Sequence, residues 1–410
     1  MKKTILLAYL LCLSLFHLDA QVTIGSEIKP NAGALLDLKQ YDDTEAINGG
    51  RNATKGLLSP RVFLSNANSM SDLNIPTNEY EIHTGLTVYN VNQCLDYGTT
   101  NSKGIYVWNG KNWEKLGRKS QSELVFEYTD SRNGEVYLYR KFGDAGTWML
   151  ENMRATTYDQ GGDAPQLGLP QTHIADYYVK LYAYPSSSSN GDGIDQTLYK
   201  MLPAIGLLYS WAAATNNENI PENNSQPENQ GQLTIGSTIG ANEVENVVSP
   251  GNGKGRVQGI CPTGWHIPSD REWNELEKEL TINASKYSTN TDSQWEEAWE
   301  ISTTNRGNSG LTLKTPCLPP GISSDLAIGK SFPAAEGGFC LFVTGYYHAG
   351  NKRFTDYGNG GFYFCSSSGP ETSGSKVAFN RSLDKYTPFV YRAPGGLRNN
   401  LMPVRCKKDD

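Results

Sequence analysis

The chain has 410 residues, a formal net charge of −7 and only 19% charged residues, while 38% of its residues are apolar. This low charge, together with 23 Tyr and 8 Trp, excludes a charge-driven disordered chain, and the acidic balance excludes general binding to nucleic-acid phosphates. With 42 Gly and 20 Pro, the composition favours a loop-rich protein that contains β-strands and packs aromatic side chains.

The first twenty residues have the pattern of a secretory signal peptide. Lys2 and Lys3 form a basic start, residues 5–16 are mostly apolar, and Ala20 offers a small residue before a cleavage point. Such an apolar run is too short for a bilayer, which takes ~20 residues. Cys12 lacks the preceding small residue of a lipoprotein cleavage site. We therefore expect an exported chain without a lipid anchor or membrane span, extracellular, at the cell surface or in the periplasm.

Residues 21–117 are predicted to form a β-rich N-terminal spacer or assembly unit. Asn109-Gly110 is a hairpin-turn signal between strand-like segments, and the polar residues 118–123 predict a linker. Short apolar runs punctuated by Gly and Pro occur at residues 22–25, 34–38, 56–62 and 85–90. These runs resemble the leader module of many exported Bacteroidetes proteins, and the resemblance implies a structural role without chemistry.

A second unit is predicted over residues 124–408, and its first elements are strands. Residues 124–128 and 135–140 have β character, and Asn133-Gly134 between them is another turn signal. The apolar residues 202–214 predict a buried helix.

Two polar insertions in this unit predict surface loops, at residues 185–193 and 216–255. Between the second insertion and residue 310 we expect two helices. Ser269 precedes Glu272 by three residues, the spacing of a capping box. The apolar face of that helix would contain Trp273, Leu276 and Leu280. Trp295 and Trp299 are four residues apart, which predicts one face of another helix.

Export would place the cysteines in an oxidising compartment. Six follow the signal peptide: Cys94, Cys261, Cys317, Cys340, Cys365 and Cys406. They allow 15 pairings, and their spacing does not choose among them. Four of the five histidines follow the signal peptide, scattered singly, and no Cys or His pair has zinc-ligand spacing. The sequence therefore predicts neither a metal site nor a cofactor.

Several segments of the second unit carry a family resemblance. They are residues 128–139, 147–154, 206–213, 259–273, 332–335, 361–368 and 403–406. The most specific is Cys-Pro-x-Gly-Trp-x-x-Pro-x-x-x-Glu-Trp at 261–273, followed at the end of the chain by Val404-Arg-Cys406. In this order they resemble the Fibrobacter succinogenes major paralogous domain family over residues 122–408.

The resemblance implies an α+β, C-type-lectin-like fold, of the branch shared with sulfatase-modifying enzymes. Two main helices and short twisted strands would follow the small β-rich N-terminal unit. It also implies a Cys261–Cys406 disulfide that joins the ends of the domain. Cys365 departs from the family's Tyr-Trp-Ser-Ser pattern and needs a partner, so we expect a second disulfide from Cys340 to Cys365. Cys94 and Cys317 remain unassigned.

Three isolated signals have both a chemical and a structural interpretation. His266 precedes the helix cap and is interpreted as a packed turn residue, because a general base needs a positioned partner. His348 follows two tyrosines in a predicted loop, and its chemical interpretation is a contact with a ligand. Residues 190–195 have the Asx-x-Asp-Gly pattern of a calcium loop. Position one would be Ser188, but Tyr199 replaces the closing Glu. A solvent loop is favoured, and calcium stays open.

Tyr, Arg and Asn are concentrated in residues 344–400, the mixture typical of recognition surfaces. The candidate ligand-binding residues are Tyr346, Tyr347, Asn351, Arg353, Tyr357, Asn359, Asn380, Arg381, Tyr386, Tyr391, Arg392, Arg398 and Asn399. Aromatic rings stack on sugars, and amides bond their hydroxyls, although some of these aromatics could equally be core residues.

The leading hypothesis is a non-enzymatic protein that recognises glycan or a cell-surface protein through C-terminal loops. The first alternative is a structural or accessory subunit of a surface fibre or envelope assembly. The second is a copper-dependent oxidase-like enzyme, which would use Cys340 and Cys365 as the close thiol pair of the sulfatase-modifying enzymes. Nucleic-acid binding and a membrane span are not expected.

Overall fold

The computed structural model describes residues 22–24, 26–29, 34–40, 53–95, 97, 102–117, 123–170, 177–216, 257–295, 307–322, 328–368 and 376–409. Several predictions lie outside these residues: the signal peptide, all but the last residue of the linker, all but the first residue of the second insertion, and the position of Trp299.

The chain divides into two compact units. Unit 1 comprises Met1–Arg61 and Thr87–Tyr89, and unit 2 comprises Val62–Leu86 and Asn90–Asp410. Within the described ranges, no helix has both the length and the apolar composition needed to cross a bilayer.

The described residues contain twenty strands. They are β1 (Val22–Ile24), β2 (Leu36–Leu38), β3 (Arg61–Val62), β4 (Thr87–Asn90), β5 (Gly104–Trp108), β6 (Trp113–Lys115), β7 (Phe126–Thr129), β8 (Val136–Lys141), β9 (Thr147–Met149), β10 (Gln166–Leu167), β11 (Leu181–Ala183), β12 (Leu208–Tyr209), β13 (Trp265–His266), β14 (Thr344–His348), β15 (Arg353–Tyr357), β16 (Gly360–Ser368), β17 (Val377–Asp384), β18 (Tyr391–Leu397), β19 (Met402–Pro403) and β20 (Lys407–Lys408).

The same residues contain four α-helices and seven 3₁₀ turns. The helices are α1 (Thr197–Met201), α2 (Trp211–Thr215), α3 (Asp270–Ile282) and α4 (Ser309–Leu313). The 3₁₀ turns are Ser71–Leu73, Thr77–Glu79, Glu81–His83, Gly143–Ala145, Pro203–Ile205, Ala284–Lys286 and Ala334–Glu336.

The expected α+β, C-type-lectin-like fold with two main helices is wrong. Strands in several sheets dominate the described residues, and α3 alone among their helices exceeds five residues. Trp295 lies in a described segment without helix, so the second amphipathic helix is not seen up to that residue. The described residues are therefore mostly β, with one long helix packed among the sheets.

The predicted buried helix over residues 202–214 is wrong for most of its length, although the segment is buried and residues 211–214 belong to α2. Pro203 begins a 3₁₀ turn, and Gly206 has φ +69°, outside the helical region. A Cβ at Gly206 would lie 2.7 Å from the carbonyl oxygen of Met153. The chain then enters β12, whose partners β11 and β19 are remote in sequence. Long-range pairing thus overrides the local apolar pattern.

The capping box of α3 is confirmed. The backbone amide of Ser269 donates to the Glu272 carboxylate at 2.9 Å, and the Glu272 amide donates to the Ser269 hydroxyl at 3.3 Å. The predicted apolar face, Trp273, Leu276 and Leu280, is fully buried. It packs into a core with aromatic residues such as Trp148, whose ring centroid lies 5.2 Å from that of Trp273.

Three sheets lie wholly within unit 2. One has the order β13-β20-β9-β8-β7, and a second has the order β10-β11-β12-β19. The third, which holds the candidate residues, has the order β15-β14-β16-β17-β18. Its β16–β17 and β17–β18 pairs are antiparallel and contain register shifts. Because they are the first and last strands in this order, β15 and β18 are the two edges of this sheet.

The turn signals at Asn109-Gly110 and Asn133-Gly134 both lie in hairpins, β5–β6 and β7–β8.

Two disulfides lie in unit 2. Cys261–Cys406 is confirmed and closes a separation of 145 residues, which the loop-entropy model values at about 5 kcal/mol. Cys94 pairs with Cys317 across 223 residues. The expected Cys340–Cys365 disulfide is wrong: both described side chains are buried thiols outside any disulfide. Pairs of disulfides are typical of proteins that mature in oxidising compartments, consistent with export.

In unit 1, β1 and β2 form a two-stranded parallel sheet, with Thr23 opposite Asp37 and Ile24 opposite Leu38. Asp37 forms an ion pair with Lys39 at 3.1 Å.

Candidate functional site

The β14–β15 ribbon brings several predicted residues onto one face. Tyr346 pairs with Thr355 and His348 with Arg353, and side chains of opposed residues share a face. The ring centroid of Tyr346 lies 4.3 Å from that of Phe362 and 5.9 Å from that of His348. Arg353 is exposed, while Tyr346, His348 and Thr355 are half-buried. An aromatic and cationic surface results, open to solvent along the edge strand.

The opposite face of the ribbon is interior. Tyr347 and Phe354 are buried with ring centroids 5.1 Å apart. Tyr357 is also buried, and its hydroxyl donates to the carbonyl oxygen of Pro320 at 2.8 Å. Tyr347 therefore supports the ribbon from within, which corrects its prediction as a ligand contact, whereas Tyr357, paired with Thr344, is buried but lines a neighbouring cleft.

A cleft of about 360 Å³ opens where the first polar insertion meets β15. We call it the edge-strand cleft; its lining residues are Ser186, Ser187, Ser189, Arg353, Phe354, Thr355, Asp356, Tyr357 and Asn359. The amide of Phe354 donates to the carbonyl oxygen of Ser189 at 3.1 Å, which fixes the insertion against the strand. The cleft combines guanidinium, carboxylate, amide and hydroxyl groups.

Asp356 and Asn359 form a turn at one end of the cleft. Asp356 has φ +62°, and the amide of Asn359 donates to its carbonyl oxygen at 2.8 Å. Both side chains are exposed. Asn351 is exposed as well, but it lies in the turn at the other end of β15, where its amide donates to His348 Nδ1 at 3.0 Å. Of the predicted residues, Arg353, Tyr357 and Asn359 thus line the cleft, and Tyr346 lies beside it.

Two predicted arginines hold α3 against the sheet and do not face solvent. Arg381 forms ion pairs with Asp270 and Glu277, and Arg392 contacts Asp270 at 2.8 Å. All four side chains are buried. Burial alone would raise the pKa of Asp270, but the guanidinium groups of Arg381 and Arg392 outweigh it and hold that pKa below its usual range. The prediction of these arginines as ligand contacts is wrong.

Three more predicted residues are interior. The guanidinium of Arg398 lies 4.3 Å from the ring centroid of Trp211, and its Nε donates to the carbonyl oxygen of Val377 at 3.1 Å. Asn380 and Asn399 are buried. These three predicted contacts are likewise corrected to structural roles.

Tyr386 and Tyr391 are exposed, by 58% and 36%, but neither is among the residues that line the cleft. Tyr391 begins β18, the sheet edge opposite β15, and Tyr386 lies in the turn that precedes it. The thirteen predicted residues therefore do not form one surface.

Residues 143–408 match the sequence model of the Fibrobacter succinogenes major domain, well over half of the chain. The chain belongs to this family. The resemblance inferred from the sequence is confirmed. Residues 23–140 match a second model, described as a phage tail like trimerisation region. A search of curated proteins and of solved structures found no match.

Within the family domain, the loop at residues 190–195 uses its carboxylates internally. Asp192 Oδ1 accepts from the amides of Ile194 at 2.9 Å and Asp195 at 3.3 Å, and Asp195 accepts from the amide and hydroxyl of Thr197. A pocket of about 290 Å³ beside this loop adjoins the edge-strand cleft through Ser186. Nowhere in the described ranges do three or more His, Cys, Asp or Glu side chains form a group that could hold a metal ion.

His266 is a buried residue of the family domain, as predicted, but its charged partners were not foreseen. Its Nδ1 lies 2.6 Å from Asp409, its Nε2 lies 2.9 Å from Glu272, and Lys407 lies 2.8 Å from that same Glu272. Burial alone would lower the pKa of His266, yet the carboxylates of Glu272 and Asp409 outweigh it and raise the pKa above 6.5. His266 thus links Asp409, which follows the last strand, to the capping residue Glu272 of α3.

The two thiols of the family domain are poorly suited to metal chemistry. Cys340 and Cys365 are 1% and 0% exposed. Burial raises the pKa of the Cys365 thiol well above its usual range, even though Arg381 lies 3.8 Å from the sulfur. Since the thiolate is the nucleophile and metal ligand, this environment disfavours that chemistry.

The sequence did not predict that Asp356 and the serines of the first insertion line a cleft. The insertion at 185–193 was predicted as a surface loop, but its position over β15 depends on a contact between residues far apart in sequence. Asp356-x-Gly358-Asn359 carries a turn signal that could have indicated an exposed corner.

Proposed function

We propose that this protein is an exported, non-enzymatic recognition protein that binds glycan in the edge-strand cleft. The observation that carries the proposal is the polar cleft itself, which Arg353, Asp356 and Asn359 line together with three serines, Ser186, Ser187 and Ser189. Its volume, about 360 Å³, lies in the ~300–1,000 Å³ range of small-ligand sites. Charged and amide side chains beside hydroxyls are suited to the hydroxyl groups of sugars.

The half-buried ring of Tyr346 adds a stacking surface beside the cleft, opposite Thr355. An edge strand could instead bind an extended peptide by backbone pairing. On β15, however, the amide of Phe354 already donates to Ser189. Side-chain recognition of a small polar ligand therefore fits this edge better than addition of a peptide strand.

A glycan array followed by calorimetry on the best hit tests this proposal. The Arg353→Ala/Asn359→Ala variant should bind roughly tenfold more weakly or worse, because hydrogen bonds to a charged partner are lost. The control Lys141→Ala removes an exposed cation from β8, outside the cleft. An array without hits, or equal affinity of the cleft variant and the control, would contradict the proposal.

A second candidate function is a self-associating subunit of a surface fibre or envelope assembly. The observation that favours it is the match of residues 23–140 to a phage tail like trimerisation region. In this interpretation three chains assemble through the N-terminal region and present three family domains. The two candidates are compatible, since multivalent display strengthens weak ligand binding. Native mass spectrometry of the full chain tests it, with a trimer expected and a monomer contradicting it.

The non-enzymatic part of the proposal is supported by the burial of Cys340 and Cys365, the thiols that the oxidase hypothesis requires. Incubation of the protein with copper, followed by an oxygen-consumption assay with thiol substrates, should show no turnover above free copper.

A further inference from the structure

The apolar face of the β1–β2 sheet in unit 1 is exposed to solvent. Since successive side chains of a strand point to opposite faces, Ile24, Leu36 and Leu38 share one face, and Asp37 and Lys39 share the other. The exposed fractions of the apolar three are 57%, 53% and 39%.

The polar face is the covered one. The Asp37 and Lys39 side chains, which form an ion pair at 3.1 Å, are 11% and 2% exposed. A soluble monomer has the opposite arrangement, with apolar side chains inside and ion pairs in water. Parallel strands are almost always covered on both faces, and two strands alone are marginally stable in water. The outer face of this sheet therefore lacks a packing partner within the described part of unit 1.

Other leucines of unit 1 share this exposure. Leu35 is 77% exposed, Leu57 76% and Leu58 85%. With the three strand residues they form a set that we call the unit 1 apolar residues. Burying one leucine removes on the order of 100 Å² of apolar surface, so the set offers about 400 Å² per chain. A stable interface needs ~800 Å² per partner, of which a little over half is apolar.

The exposure is concentrated in the region that matches the trimerisation model. Among the described residues, 13 of the 22 exposed large hydrophobic side chains lie between residues 23 and 140, although that region is less than a third of the chain. The family domain, by contrast, encloses most of its large hydrophobic side chains.

We infer that the unit 1 apolar residues are the contact between copies of this chain, and that β1–β2 is completed by the neighbouring copies of a trimer. The inference rests on the self-association proposed above and names the residues that cause it. The occupant is another copy of this chain because this region matches the trimerisation model, and because the exposed apolar area of one chain is comparable to the apolar part of one side of one such interface.

The test is native mass spectrometry and light scattering on the full chain and two variants, Leu36→Ser/Leu38→Ser and Leu57→Ser/Leu58→Ser. The wild type should have three times the chain mass, and both variants should shift to the monomer. The control Leu167→Ser changes a leucine of the family domain that is 40% exposed, as Leu38 is 39% exposed, and should remain trimeric. Near-ultraviolet circular dichroism checks that each variant keeps its fold, which substitution of exposed side chains should preserve.

The possible outcomes distinguish the claim that the chain self-associates from the claim that the unit 1 apolar residues form the contact. A monomeric wild type overturns the self-association candidate and this inference with it. A trimeric wild type whose two variants stay trimeric overturns only the inference, because the chains then associate through other residues. Loss of the trimer in Leu167→Ser as well would also overturn it, since any exposed leucine would have the same effect.

Discussion

The carboxylate of Asp270, in the first turn of α3, lies 2.8 Å from the guanidinium group of Arg392 on β18. Arg381 on β17 contacts the same carboxylate and also Glu277, which lies two turns further along the same face of the helix. Four buried charges thus hold the one long helix against the C-terminal sheet. Removal of one partner would leave the others buried and uncompensated.

The first prediction concerns this cluster. Arg381→Met should lower the free energy of unfolding by about 3–5 kcal/mol, because it leaves Asp270 and Glu277 buried without their shared partner. Arg353→Met, at an exposed position, should change it by less than about 0.5 kcal/mol. Urea titration followed by tryptophan fluorescence measures both. Equal effects of the two variants would disprove the structural role of Arg381.

The second prediction concerns the pH dependence of stability. The pKa of His266 is raised in the folded protein by Glu272 and Asp409, so its contribution is complete below about pH 6.5 and is lost as the pH rises through the higher folded pKa. Unfolding free energies measured from pH 5 to 9 should therefore decline in the wild type, and less so in His266→Gln. Lys408→Gln, an exposed neighbour, should keep the wild-type slope; the same slope in all three proteins would contradict the prediction.

The third prediction concerns the sulfur chemistry. Mass spectrometry without reducing agent should find Cys94–Cys317 and Cys261–Cys406 linked peptides. Cys340 and Cys365 should resist iodoacetamide in the native protein and react after denaturation, because both are buried and burial raises the pKa of Cys365. A Cys340–Cys365 linked peptide would refute this assignment.

The fourth prediction concerns the backbone beneath the cleft. Gly345 has φ +64°, and a Cβ there would lie 2.3 Å from the carbonyl oxygen of Thr355. Gly345→Ala should destabilise the protein by about 2 kcal/mol or more and weaken glycan binding, because β14 and β15 must separate. Gly395→Ala, where nothing lies within 4 Å of the added atom, is the matched control. Thermal unfolding and calorimetry measure both effects, and similar melting temperatures would contradict the prediction.

Local signals in the sequence predicted local structure well. The Ser269–Glu272 capping box and the Asn109-Gly110 and Asn133-Gly134 hairpins depend on residues within a few positions of each other. The apolar residues 202–214 failed because the conformation at Gly206 and the pairing of β12 depend on distant segments. The hydrophobic periodicity of a segment contains no information about those distant partners.

Only part of the candidate site was predicted, and the reason is similar. Along β14 and β15 the tyrosines alternate in burial, so Tyr346 is partly open to solvent and Tyr347 is interior, and residue type alone cannot distinguish them. Arg381 and Arg392 were assigned to a surface because arginine is seldom buried unless paired, and their partners lie more than 100 residues away. The Cys261–Cys406 pairing was obtained from the family resemblance, whereas no family pattern was available for Cys94 and Cys317.

The Cys94–Cys317 disulfide has a mechanical consequence. Cys94 lies in the region that resembles a trimerisation segment, and Cys317 lies in the family domain. If the two ends of the chain are pulled apart, tension passes from residue 94 to residue 317 through one covalent bond. The chain between the two cysteines is excluded from that load path. Stretching an intact molecule should therefore extend it by far less than its contour length, and reduction should release the missing length as a distinct step in a force–extension trace.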